Sequence, residues 1–111
     1  MSPQIIAKII FFSLIIIAVL LEVAGDIFFK KWSLGNKNTL LLAGLAFYLI
    51  GTTFWALSLK YELLSKSITI FTVLNLIIVI FAGALFFGEK LSYANKFGII
   101  VGIISIILLE L

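Results

Sequence analysis

The stretch IIAKIIFFSLIIIAVLLEVAGDIFF, residues 5–29, is apolar enough to cross a bilayer and yet carries two carboxylates, Glu22 and Asp26. About 20 apolar helical residues span the roughly 30 Å of hydrocarbon, so this stretch reads as a transmembrane helix. A charged side chain at such depth costs several kcal/mol, roughly 2.5–3.5 on insertion scales, and intramembrane carboxylates are usually functional for that reason. Glu22 lies well inside the run, too far from either end to be explained by a membrane surface. The run decides the fold class, and Glu22 is the residue on which function is expected to turn.

The rest of the chain has the same character. Of its 111 residues 64% are hydrophobic and only 12% charged, usage that excludes a soluble core and marks a multi-span membrane protein. Three more apolar runs follow, over about 39–59, 67–87 and 92–109, separated by short lysine-bearing links. Ser33 to Lys37, with Gly35 and Asn36, reads as the first turn; Gly88, Glu89 and Lys90 read as the last, and Ser92 as the N-cap of the fourth helix. The expected fold is all-α: a single domain, 1–111, of four transmembrane helices about 5–29, 39–59, 67–87 and 92–109. Short links force neighbouring helices to run antiparallel. The first run is too long and too acidic for a cleaved signal peptide and is expected to be retained.

Absences narrow the chemistry. The chain has no cysteine and no histidine, hence no thiolate nucleophile, no cysteine metal site and no imidazole proton carrier. No catalytic cluster exists beyond the two acids, so an enzyme is not expected; no cofactor, metal or nucleic-acid partner is expected either. A carboxylate in hydrocarbon disfavours its charged form, which suits Glu22 to exchange protons for cations. Lys8, Lys60 and Lys66 fall on one side of the membrane and Lys30, Lys31, Lys37, Lys90 and Lys96 on the other. This bias is weak by the positive-inside rule, so two opposed copies could form an antiparallel dimer.

Helical spacing groups the polar and small residues. Ala18, Glu22, Gly25, Asp26 and Phe29 share one face of the first helix. Gly44, Tyr48, Gly51, Trp55 and Ser58 form a similar stripe on the second, which has two readings: close helix packing or a binding groove. Asn75, near the middle of the third helix with Phe71 and Thr72, either bonds another helix or faces a polar cavity. Asp26 also has two readings, an extension of the acidic site or, favoured by its i,i+4 order, a salt bridge with Lys30. On the fourth helix Gly98, Gly102 and Ser105 make a small-residue ridge suited to dimer packing.

Glu22 within Leu21-Glu22-Val23-Ala24-Gly25, Lys30 eight residues on, and Phe86-Phe87-Gly88-Glu89-Lys90-Leu91 closing the third helix resemble the small multidrug resistance family of the drug/metabolite transporter superfamily. The likeness runs from Glu22 to Ser105. It implies an antiparallel homodimer in the cell (inner) membrane that exchanges protons for small cationic substrates at the paired first-helix glutamates. Tyr48 is then a ring at the substrate site, and Gly98 and Ser105 mark the dimer-packing helix. Departures from the family pattern bear on substrate. Leu63 and Ser65 replace the family's usual proline and glycine, and Ile68 and Phe71 stand where it has a tyrosine and a tryptophan, which thins an aromatic box for quaternary ammonium.

The functional expectation is a proton-coupled antiporter for small cationic or amine-bearing compounds, with Glu22, Asp26, Tyr48, Trp55, Phe71 and Asn75 at the proton and substrate site. Val73-Leu74-Asn75-Leu76 together with Asp26 looks closer to single-module relatives in the superfamily that are associated with lipid-linked amino sugars, which makes a flippase subunit the alternative. A non-transporting helper subunit and a passive channel complete the set.

Overall fold

A computed structural model describes residues 2–111. Its four helices are α1 (Pro3–Gly35), α2 (Asn38–Ser58), α3 (Leu64–Phe87) and α4 (Tyr93–Glu110). Each is long and apolar enough to cross a membrane, so the protein is an all-α, multi-pass membrane protein with four spans. The large exposed side chains Leu49, Leu85 and Phe97 would be a liability in water. On a lipid-facing wall they match the solvent.

Helix ends follow local chemistry. Ser2 caps α1, its hydroxyl accepting from the Ile5 amide at 3.2 Å, and Pro3 occupies the first helical turn, where its missing N–H leaves no bond unmade. The expected turn at Ser33 to Lys37 is corrected: α1 continues through Gly35 and ends at Asn36, which takes the left-handed conformation with φ 58°. Nothing between Phe29 and Gly35 breaks a helix, and leaving hydrocarbon for headgroups does not by itself stop one. At 1.5 Å per residue α1 is about 50 Å long and overshoots the hydrocarbon, carrying Lys30 and Lys31 to the interface. α3 starts at Leu64 rather than Ser67, because Ser67 already donates its amide to the Leu63 carbonyl at 2.9 Å. Gly88 closes α3 with φ 65°, and Ser92 caps α4 by accepting from the Asn95 amide at 3.1 Å, as the sequence suggests.

α1 is the centre of the bundle because two of its faces find partners. Phe11, Ile15, Val19 and Val23 recur every fourth residue and form the core with Ile70 and Ala82 of α3. The neighbouring face, through Ala18, Glu22 and Gly25, meets α2. α4 leans on α3. Ser58 and Ser67 are fully buried, but each hydroxyl donates to its own helix, to the Trp55 and Leu63 carbonyls at 2.6 and 2.7 Å, which satisfies them where water is absent.

One surface of the bundle is tied by charge. Glu110 at the end of α4 forms ion pairs with Lys8 of α1 at 3.0 Å and with Lys66 of α3 at 3.4 Å, and Lys66 also reaches Glu62 at 3.4 Å. The start of α1, the start of α3 and the end of α4 thus lie together, as antiparallel neighbours require.

Within the chain the small residues of α4 have different surroundings. A Cβ on Gly102 would lie 2.9 Å from Val73 Cγ1, so this glycine serves the α3–α4 contact within the chain, whereas nothing approaches Gly98 within 4 Å. The Ser105 hydroxyl donates to the Val101 carbonyl at 3.0 Å. Gly102→Leu is therefore expected to push α4 off α3 at a cost of about 1–3 kcal/mol. Thermal melting followed by circular dichroism in detergent would register this as a lowered midpoint; an unchanged midpoint would show that the contact gives way freely.

Candidate proton and substrate site

The α1–α2 seam is built from glycines. A Cβ on Gly25 would stand 2.5 Å from Tyr48 Cδ2 and 3.0 Å from the Gly44 carbonyl oxygen; one on Gly44 would stand 2.5 Å from the Phe29 ring. Phe29 and Tyr48 rings lie alongside, 5.2 Å between centroids, and Phe28 stacks on Phe47 at 5.3 Å. For Gly44 and Gly51 the packing reading of the α2 stripe is thus the one observed. Packing also places the acids: Glu22 lies across Gly51, where an added Cβ would be 2.9 Å from Glu22 Cγ.

Glu22 is partly buried and forms no hydrogen bond or ion pair among the described residues. Asp26 is one turn further along, about 6 Å by helical rise. Its carboxylate accepts the Tyr48 hydroxyl across the seam. The favoured Asp26–Lys30 salt bridge is corrected: among the described residues Lys30 pairs with neither acid and is exposed. A phenol held at short range in a low-dielectric seam outcompetes a long, solvated ammonium that gains more by reaching the headgroups.

Trp55 and Phe71 also come together, their rings 4.9 Å apart and tilted at 52°, joining α2 to α3. Both pack against the core cluster around Phe11 and Ile15. Asn75 differs from these. Its Oδ1 is buried without a hydrogen-bond partner, and it bonds to none of the other candidate site residues.

Tyr48→Phe removes the one side-chain donor to Asp26 among the described residues and is expected to lower stability by about 1–3 kcal/mol. The loss should shrink when Asp26→Asn is already present, and a double-mutant cycle on thermal unfolding measures the coupling. Additive losses would mean that the hydroxyl and carboxylate act independently.

A cavity of about 170 Å³ between α1 and α3 brings in residues that sequence spacing did not flag. Asp26 and Lys30 line it from α1, Val79 and Phe87 from α3, and Glu89 from the following loop. The available signal was the Gly88-Glu89 pair: a left-handed glycine after a helix turns the next side chain back toward that helix. No family model matches the chain, and no curated protein or solved structure matches it.

Proposed function

We propose that the protein is a proton-coupled exchanger of small cationic or amine-bearing compounds, a divergent relative of the small multidrug resistance family working as a dimer in the cell membrane. The observation that carries this reading is Glu22: a carboxylate inside a membrane-spanning helix, packed across Gly51 of α2, with no hydrogen-bond or ion-pair partner among the described residues. Such a group costs free energy to keep and is useful where it binds something transient. Protons and organic cations compete for it, and if the bundle changes access only when Glu22 is neutralised by one or the other, the two fluxes are coupled.

Tyr48 holds Asp26 to one side, while Trp55 and Phe71 supply aromatic surface between α2 and α3. A second copy would bring its own Glu22 to the site, and two such carboxylates would titrate as a pair. The weak lysine asymmetry permits opposed insertion of the two copies.

Purified protein in liposomes with an imposed pH gradient, offered guanidinium, quaternary ammonium and polyamine cations in turn, is the direct test. Proton movement that depends on one of these cations is the expected result. Cation flux with no proton movement would identify a passive channel instead.

A further inference from the structure

Gly98 is a glycine that its own chain does not use. Gly25, Gly44, Gly51 and Gly102 each let a neighbouring helix come close, and Gly83 lies under Glu89, whereas a Cβ on Gly98, in the interior of α4, would meet nothing within 4 Å. Glycine weakens a helix interior, and here no packing within the chain compensates.

Gly98 opens onto a groove of about 160 Å³ between α3 and α4, walled by Val73, Ile77 and Ile80 on one side and by Asn95 and Ile99 on the other. Its inner end is closed where Gly102 meets Val73. Its outer end reaches Ala94 and Asn95 in the first turn of α4. A helix is about 10–12 Å across with its side chains, so a slot of this size admits no third helix between α3 and α4 and suits one extended hydrocarbon chain.

The outer end of the slot is basic. Lys96 lies one turn nearer the surface than Ile99, with its Nζ 5.4 Å from the centre of the Tyr93 ring, and Lys90 is in the link just before α4. Both lysines are exposed, and among the described residues neither forms an ion pair. Glu89, the acid nearest in sequence, is turned back over Gly83. A second copy laid along α4 would not balance this charge: in parallel it sets Lys96 against Lys96, and in antiparallel it brings Glu110, which Lys8 and Lys66 of its own chain already hold. An apolar slot with unbalanced positive charge at its membrane-surface end complements a lipid with a negative headgroup.

We propose that the α3–α4 groove binds one anionic phospholipid of the surrounding leaflet, with an acyl chain beside Gly98 and the phosphate-bearing headgroup at Lys96 and Lys90. The Asn95 side-chain amide, at the outer end of the lining, is a further donor to the headgroup. A zwitterionic lipid fills the slot equally well but gains less from the lysines.

Native mass spectrometry of the full chain released from detergent, titrated with dioleoyl phosphatidylglycerol or dioleoyl phosphatidylcholine, tests the proposal, because the two lipids share their chains and differ in headgroup. The parent should bind one phosphatidylglycerol per chain in preference to phosphatidylcholine. Lys96→Gln should weaken phosphatidylglycerol about fivefold, the weight of one lysine at an anionic membrane surface, and leave phosphatidylcholine unchanged. Gly98→Leu should displace both lipids with the helical fold kept, since nothing in the chain obstructs the new side chain. Lys37→Gln removes an exposed lysine outside the groove and should alter neither lipid. Equal losses from Lys37→Gln and Lys96→Gln would reveal a diffuse basic surface and overturn the proposal. A Gly98→Leu chain that keeps its lipid but no longer dimerises would also overturn it, making the groove an interface between copies.

Discussion

Glu22→Gln is expected to fold and insert as the parent does while losing proton-coupled exchange. Glutamine keeps the length, shape and hydrogen-bonding atoms of the side chain that lies across Gly51, so the α1–α2 seam is preserved. What it loses is ionisation. Under the proposed exchange, protons and cation compete for one carboxylate in the parent, so cation affinity should fall as pH is lowered; in the variant the affinity should be weak and flat with pH. Coupling between ligands that share a site or a conformational equilibrium is typically about 1–3 kcal/mol, roughly 5–150-fold in affinity. All of it should vanish. Binding measured from pH 5.5 to 8.5, paired with flux in liposomes, gives the outcome, and a variant with parental pH dependence would move the assignment to Asp26.

Gly25→Leu should have a large structural effect. The position is fully enclosed: a first side-chain carbon would already press on Tyr48 and on the Gly44 carbonyl oxygen, and the remaining leucine atoms would have no volume to enter. Tyr48 cannot turn aside without releasing Asp26, and the Gly44 carbonyl belongs to helix backbone. Overpacking of a close core costs about 1–3 kcal/mol, and where backbone is the obstacle it costs more. The α1–α2 pair is expected to separate, with loss of the folded form in mild detergent by size-exclusion chromatography. Gly35→Leu is the control, because no atom lies within 4 Å of a Cβ there. Equal behaviour of the two variants would show that the seam is looser than its distances indicate.

The α1–α2 face that carries the candidate site was legible because helix periodicity projects directly onto faces. Ala18, Glu22, Gly25 and Asp26 share a face in any α-helix, and that face does meet the Gly44, Tyr48, Gly51 stripe of α2. The second working face of α1, through Phe11, Ile15, Val19 and Val23, was not legible. Nearly every residue there is apolar, so amphipathicity carries no signal in a helix whose solvent is lipid.

Pairing was the least legible. From sequence Asp26 has Lys30 four residues away, and only the packing of α2 against Gly25 brings the Tyr48 hydroxyl to the carboxylate instead. Gly102 likewise suits a contact with any helix, and its neighbour is Val73 of the same chain. Glu89 belongs to a loop, where no period relates it to Asp26.

The sequence by itself determined the number of spans, their antiparallel order, the caps at Ser92 and Gly88, and the depth of Glu22, because each follows from local hydropathy and backbone preference within one segment. The tertiary structure alone decided that α1 is the central helix, that Asp26 is held by Tyr48, and that Glu89 returns to a cavity between α1 and α3. Those outcomes depend on which faces meet and how closely, and that is set by volumes on two helices at once.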